Sequence, residues 1–133
     1  EFHGLLDKQK HDQMEILLKL YENCDVFLLP STAEGFGIVY VEASAYGIPS
    51  LGYKTQGVTT AVKNGESGIL LDMNKGPTDF ANIILWWLEN PEEYKKLCLG
   101  ARLHYENDGR WEKLIPRFIN VVEDKLGLQK SII

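Results

Sequence analysis

The stretch "DVFLLPSTAEGFGIVYVEASAYGIPSLGY", residues 25–53, decides the fold. It contains "VFLL" at 26–29, four apolar residues in a row, which is typical of a strand covered on both faces in a parallel sheet and which Pro30 ends. A loop follows at 30–37, and then a helix from about Ile38 that stops near Gly47. "PSLGY" at 49–53 reads as the next strand. A strand, a helix and a second strand in this order predict a βα unit and a parallel sheet.

The segments on either side continue this alternation. "GILLD" at 68–72 reads as a further strand, preceded by turn signals. Upstream, "EFHG" at 1–4 is predicted to be a short strand. Asp12 followed by Glu15 resembles a capping box that opens a helix before residue 25. We therefore predict an α/β fold: a Rossmann-like parallel sheet with helices on both faces.

The last part of the chain, residues 78–133, is predicted to be helical. Its clearest helix has apolar residues at helical spacing, and these are Phe80, Ile83, Ile84, Trp87 and Leu88. "NPEE" at 90–93 supplies an N-cap, a proline at the first helical position and acidic residues for the start of a second helix. A third begins near Trp111, where Pro116 either kinks it or marks its true start.

Length, composition and charge limit the kinds of function that the chain can have. A chain of 133 residues that is 44% hydrophobic is expected to form one globular domain. The net charge of −5 and the lack of long Lys/Arg clusters argue against nucleic acid as a partner. The two cysteines and three histidines are scattered, so they predict no metal site. With no signal peptide and no long apolar run, we expect a soluble protein of the reducing cytoplasm.

The loop at 30–37 is the best candidate for a ligand site. In parallel sheets ligands bind at the carboxyl ends of strands, where loops lead into helix N-termini. Unpaired amides near Gly35 to Ile38 would suit phosphate oxygens. Gly35 and Gly37 would let a ligand approach the backbone closely. The same pattern is also typical of plain turn geometry, and the residues alone leave both interpretations open.

Two acidic residues flank the start of this helix. Glu34 lies in the loop and Glu42 lies within the helix, so the pair could hold opposite ends of an extended ligand. Glu42 stands among apolar residues and would need a partner if it were buried. Ribose hydroxyls would serve as that partner. The alternative is that Glu42 points to solvent.

These motifs carry a family resemblance. Residues 24–72 resemble the donor-binding half of retaining glycosyltransferases with the two-domain GT-B fold, and most closely the group 1 (GT4-type) family. The family's E-x7-E motif is intact as Glu34 and Glu42, flanked by its "PS", "EGFG" and "EA" patterns. The resemblance continues less sharply to Glu112, so it covers nearly the whole chain.

The resemblance implies roles for particular residues. Glu34 would contact the donor sugar near the reacting centre and so be catalytic. Glu42 would accept hydrogen bonds from the nucleotide ribose. The backbone of Gly35, Phe36, Gly37 and Ile38 would face the sugar and the diphosphate. The implied reaction transfers a hexose from a UDP or GDP sugar to a hydroxyl acceptor with retention, and it needs neither a catalytic metal nor a cofactor.

The resemblance also implies a setting for the whole enzyme. The acceptor would be a glycan or a lipid-linked molecule, bound by an N-terminal domain in polysaccharide biosynthesis. The location would be cytoplasmic, compatible with peripheral association at the inner face of the membrane.

The sequence departs from the family pattern in two ways. "TQGVTTAV" at 55–62 has the single Gly57 where the family has a Gly-Gly pair, and Thr59-Thr60 where it has Pro-Glu. The family's diphosphate-binding Arg and Lys, its acceptor domain and the first two strands of its donor domain would all lie upstream of residue 1. We therefore interpret residues 1–133 as a partial donor-binding domain that is inactive alone.

Other functions of the same fold stay open. The chain could be a non-catalytic nucleotide-binding or interaction module, or part of a GT-B epimerase. Upstream coding sequence would separate the enzyme from the module.

Overall fold

A computed structural model describes residues 2–127. Three parallel strands form its sheet in the order β1-β2-β3: β1 is Phe27–Leu29, β2 is Ser50–Tyr53 and β3 is Gly68–Leu71. The register aligns Phe27 with Ser50 and Ser50 with Gly68. Each strand returns to the sheet through a crossover that contains a helix, as parallel pairing requires.

The helices lie between and after these strands. They are α1 His11–Glu22, α2 Ile38–Ala45, α3 Val58–Ala61, α4 Pro77–Glu89, α5 Pro91–His104, a π-helix Tyr105–Gly109 and α6 Trp111–Leu126. None of the helices within residues 2–127 is both long and apolar enough to cross a membrane.

Side chains of the strands alternate between two buried clusters, one on each face of the sheet. On one face Tyr40 of α2 and Val58 of α3 pack with Leu70. On the opposite face Leu51 packs with Phe80 and Trp87 of α4 and with Leu97 of α5. Helices therefore cover both faces, and the predicted α/β fold is confirmed.

Two glycines define the ends of α2, the helix that carries Glu42. Gly37 precedes it with φ of +80°, a left-handed conformation that glycine adopts without strain, and Gly47 follows it with φ of +71°. Tyr40 is fully buried, and its hydroxyl donates a 2.7 Å hydrogen bond to the Leu29 carbonyl at the end of β1. This bond ties the first turn of α2 to the carboxyl end of the sheet.

Two predictions near the N-terminus are wrong. Residues 2–4 of the predicted strand have no strand structure, and Glu1 lies outside the described residues. A strand needs a neighbour, and Phe2 is almost fully exposed. The predicted capping box is also absent, because α1 begins at His11 after Lys10 and Asp12 lies inside its first turn. Gln13 holds this helix start instead, accepting a 2.7 Å hydrogen bond from the amide of Asp7.

Burial also differs from the prediction at two positions. β1 forms one edge of the sheet, and the side chain of Leu28 is 47% exposed, so "VFLL" is not covered on both faces. Leu88, assigned to the apolar face of α4, is 74% exposed. The α4 and α5 layer covers β2 and β3 but leaves the β1 edge open.

The remaining differences concern local helical structure. The short α3 and the π-helix were not predicted. α6 begins at Trp111 and contains Pro116, so the alternative start at Pro116 is wrong. The predicted helical part at 78–133 corresponds to α4 through α6, and residues 128–133 lie outside the described part of the chain.

Candidate functional site

The loops that follow β1 and β2 meet at the carboxyl edge of the sheet. A Cβ atom placed on Gly57, just before α3, would lie 1.7 Å from the carbonyl oxygen of Gly35. The two backbones are thus in direct contact, and only a glycine permits this approach. This contact holds the loop at 30–37 against the start of α3.

The loop at 30–37 places the backbone groups of the predicted site, those of Gly35 to Ile38, at the start of α2. Gly37 is buried, whereas Gly35, Phe36 and Ile38 are exposed. No side chain of the described residues caps α2. The first amides of this helix are therefore available to an anion, since helix N-termini carry unpaired N–H groups and partial positive charge.

Glu34 is half-buried in the loop that follows β1, and its charge acts on Tyr40. Burial, together with the negative charge of Glu34, raises the pKa of Tyr40 to about 12. The Tyr40 hydroxyl therefore stays protonated and keeps its bond to the Leu29 carbonyl. The charge of Glu34 thus acts at the carboxyl end of β1, which the loop glycines Gly35 and Gly37 also follow.

Glu42 is held by two side chains from other parts of the chain. Its Oε1 lies 2.6 Å from Nζ of Lys8, and its Oε2 accepts a 3.0 Å hydrogen bond from the hydroxyl of Tyr21. The Glu42 side chain is 31% exposed. Glu42 therefore neither points freely to solvent nor lacks a partner, because the chain itself supplies two.

Sequence reasoning missed Lys8 and Tyr21 as neighbours of Glu42. The ring of Tyr21 stacks on that of Tyr46, with centroids 5.3 Å apart and planes 14° apart. Nothing local in the sequence relates residues 8 and 21 to residue 42. The signal was the unexplained acidic residue of α2, which indicated that some partner existed.

A cavity of about 520 Å³ opens beside Glu42, between α1, α2 and the start of α6. Phe36, Ile38 and Glu42 line it together with Tyr21 and Trp111. Glu34, Gly35 and Gly37 do not line this cavity. The structure thus brings three of the six predicted site residues into one cavity, and Glu34 lies outside it.

A second depression, of about 920 Å³, is shallower and lies away from the loop at 30–37, beside the end of α2 and α5. Its charged residues pair with each other: Arg110 contacts both Glu106 at 2.8 Å and Glu112 at 3.4 Å. Within residues 2–127 no three His, Cys, Asp or Glu side chains come together as a metal site. The Glu42 cavity is therefore the stronger candidate.

A comparison with models of protein families shows which family the chain belongs to. The family model described as "Glycosyl transferases group 1" matches residues 5–104, which include the whole sheet, both glutamates and the loops between them. The chain belongs to the group 1 glycosyltransferases. The resemblance seen in the sequence is confirmed.

Curated relatives of this glycosyltransferase chain support the family. It is 34% identical over 106 residues to a D-inositol 3-phosphate glycosyltransferase of Thermomonospora curvata, covering 80% of this chain and 24% of the relative. It is 31% identical over 110 residues to the enzyme of the same name from Thermobifida fusca, covering 83% and 25% respectively. The chain thus spans about a quarter of the length of these relatives.

Solved structures share the fold of this group 1 glycosyltransferase. Sucrose-phosphate synthase from Thermosynechococcus elongatus superposes with a TM-score of 0.72 at 26% identity, covering 85% of this chain and 28% of that one. HepE of Anabaena in complex with UDP-glucose superposes with a TM-score of 0.70 at 23% identity, covering 88% and 36%. Both similarities extend over nearly all of the described fold.

Proposed function

We propose that this chain is the donor-binding part of a retaining hexosyltransferase that uses a UDP or GDP sugar and a hydroxyl acceptor. Family membership supports transferase function, and the complex of HepE with UDP-glucose supports a nucleotide sugar as ligand. The observation that carries the proposal is the placement of Glu42 in a cavity beside the uncapped start of α2. That arrangement places a carboxylate, which can bind hydroxyl groups, near backbone amides, which can bind phosphate groups.

Glu42 binds the ribose in this proposal. An ionised carboxylate has about four acceptor positions, so the bonds from Lys8 and Tyr21 leave capacity for ribose hydroxyls. Lys8 is 53% exposed, and its contact can exchange with solvent or ligand at little cost. The ribose can therefore approach Glu42 without unfolding its surroundings.

Glu34 and the loop amides act on the other half of the donor. Glu34 contacts the sugar, while the backbone of Gly35, Phe36, Gly37 and Ile38 faces the sugar and the diphosphate. Developing negative charge on the departing diphosphate is then stabilised by N–H groups that are already oriented. The separation of Glu34 from the Glu42 cavity matches a donor that extends along the loop.

The setting of the whole protein belongs to the same proposal. Residues 1–133 form part of the nucleotide-sugar domain, with 78–133 as its C-terminal helical part. A further domain of the whole protein binds a glycan or lipid-linked acceptor, in polysaccharide assembly in the cytoplasm or at the inner face of the membrane. We expect the 133-residue chain alone to bind donor but not to transfer sugar.

A non-catalytic nucleotide-binding module of the same fold is the second candidate. It is favoured by the two bonds from Lys8 and Tyr21 that already occupy both oxygens of Glu42. In that case the acidic residue would be a structural link between α1 and α2 and would contribute nothing to ligand binding.

Titration calorimetry with UDP-glucose and GDP-mannose tests the donor site. Glu42→Ala removes the ribose acceptor, so we expect affinity for the bound nucleotide sugar to fall by about tenfold or more. Glu34→Ala should leave the affinity for the free nucleotide unchanged and reduce discrimination between UDP-glucose and UDP-galactose.

Glu89→Ala, at the exposed end of α4, removes the same charge far from the loop and serves as the control. Unchanged affinity in Glu42→Ala would contradict the ribose assignment. Unchanged discrimination between the two hexoses in Glu34→Ala would contradict the sugar contact.

A further inference from the structure

Tyr21 makes two contacts with α2, on the face that carries Glu42. Its hydroxyl donates to Oε2 of Glu42 at 3.0 Å. Its ring stacks on Tyr46, which follows Glu42 by about one helical turn. A side chain of α1 thus contacts both the carboxylate and the next turn of the helix that carries it.

The two partners of Glu42 differ in how firmly they hold it. Lys8 lies in the segment before α1, is 53% exposed and has a long flexible side chain, so its ion pair is weak and exchangeable. Tyr21 is half-buried, has only two side-chain torsions and is fixed by the stack on Tyr46. Of the two contacts, only the one from Tyr21 can define the direction of the carboxylate.

We propose that Tyr21 is a positioning residue for donor binding, which holds the Glu42 carboxylate so that its free acceptor positions face the ribose hydroxyls. The inference rests on the proposed function, because it requires that Glu42 bind the ribose. A carboxylate fixed in advance loses no further side-chain freedom when the ligand arrives, and this strengthens binding.

The protonation state of Tyr21 fits this role. Burial and the negative charge of Glu42 raise the pKa of Tyr21, so its hydroxyl remains a donor throughout the neutral range. In this bond Tyr21 is the donor and Glu42 is the acceptor.

Tyr21→Phe tests the inference, since it removes the hydroxyl and keeps the ring that stacks on Tyr46. Calorimetric titrations use UDP-glucose, its 2′-deoxyribose analogue and GDP-mannose. We expect Tyr21→Phe to weaken binding of the ribose donor by roughly threefold to tenfold. It should also reduce the preference for ribose over 2′-deoxyribose, a readout that a purely structural role would not change.

A double-mutant cycle and a matched control complete the test. In the Glu42→Ala background the hydroxyl has no carboxylate to hold, so adding Tyr21→Phe should have no further effect on affinity. Tyr94→Phe removes a hydroxyl that donates to the Asp25 carbonyl at 2.8 Å in the α5 layer, and it should leave affinity unchanged.

The possible outcomes separate the two proposals. If Glu42→Ala weakens binding and Tyr21→Phe does not, the positioning role is overturned and the donor site stands. If Glu42→Ala has no effect, or if neither nucleotide sugar binds the parent chain, the donor site and the positioning role fall together. An equal loss from Tyr21→Phe with and without Glu42 would overturn the positioning role alone.

Discussion

At the scale of single residues, the backbone contact between Gly35 and Gly57 holds the loop at 30–37 against the start of α3. It joins the loop after β1 to the loop after β2, at the edge where parallel sheets bind ligands. The family pattern has two glycines near Gly57, whereas this chain has one. The single glycine stands where the approach is closest.

Gly57→Ala should therefore be strongly destabilising. The new Cβ would lie 1.7 Å from the Gly35 carbonyl oxygen, so backbone must move against backbone. We expect the free energy of unfolding in urea to fall by more than about 2 kcal/mol, with weaker binding of the nucleotide sugar.

Gly76→Ala is the matched control, because nothing lies within 4 Å of the added Cβ and φ is −116°. Gly76 is the N-cap of α4, so we expect this control to lose no more than about 1 kcal/mol. An unfolding midpoint for Gly57→Ala equal to that of the parent chain would show that this contact is not tight.

Residues of the site differ in how far the sequence could predict them. Glu42 stood out because an acidic residue among apolar neighbours needs a partner, and Glu34 stood out because it lies in the loop between a predicted strand and a predicted helix. Lys8 and Tyr21 could not be found in this way, because their contact with Glu42 depends on how α1 docks beside α2. Docking of one helix on another is a property of the whole fold.

At the scale of secondary structure elements, the π-helix connects three segments through one carboxylate. Asp108 accepts from Lys63 at 3.0 Å, in the segment between α3 and β3, and from Arg117 of α6 at 2.8 Å. Nδ1 of His104, the last residue of α5, lies 3.4 Å away. The wider turn of a π-helix suits this position, since such segments often mark a local adjustment of the chain.

This carboxylate makes stability dependent on acid pH. Hydrogen bonds from Arg117 and then Lys63 lower the pKa of Asp108 from 3.8 to about 2. Because the pKa is lower in the folded state than in the unfolded chain, the stabilisation is present above about pH 4 and is lost as the pH falls toward 2.

Asp108→Asn should lower the free energy of unfolding at pH 7 by roughly 1 kcal/mol, a value reduced by solvent screening. In this variant the free energy of unfolding, measured by urea denaturation, should also fall less steeply as the pH is lowered into the acid range. Asp124→Asn, on the exposed side of α6, is the control. An acid limb in Asp108→Asn as steep as that of the parent chain would contradict this account.

Elements whose signals are local were predicted well, and those that need a partner were not. α2 and α5 follow from glycine, proline and acidic residues at their ends. Residues 2–4 have the composition of a strand, but a strand forms only beside another one. The four-residue α3 and the π-helix are too short to show a periodic pattern.

At the scale of the whole molecule, the sheet is open at β1. Among the described residues β1 pairs only with β2, and the side chain of Leu28 is 47% exposed. α6 also carries large exposed apolar side chains, including those of Trp111 and Phe118. An unpaired edge beside an exposed leucine favours association with other chains.

Leu28→Lys should reduce that association without unfolding the domain. A charge on an edge strand opposes pairing with another strand, and the side chain already has room in solvent. We expect light scattering at high protein concentration to fall and the far-UV circular dichroism to stay unchanged.

Leu51→Lys places the same charge at a fully buried position on β2 and should unfold the domain. Unchanged scattering in Leu28→Lys would show that the β1 edge does not drive association.

The parallel register has a consequence for the order of folding. Phe27 meets Ser50, and Ser50 meets Gly68, only after each intervening crossover has closed, so the ladder hydrogen bonds join residues distant in sequence. α4 and α5 are adjacent along the chain and can dock early. In pulse-labelled amide exchange, the amides of these two helices should gain protection milliseconds ahead of those of β2. The central strand would then be the last part of the domain to form stable hydrogen bonds.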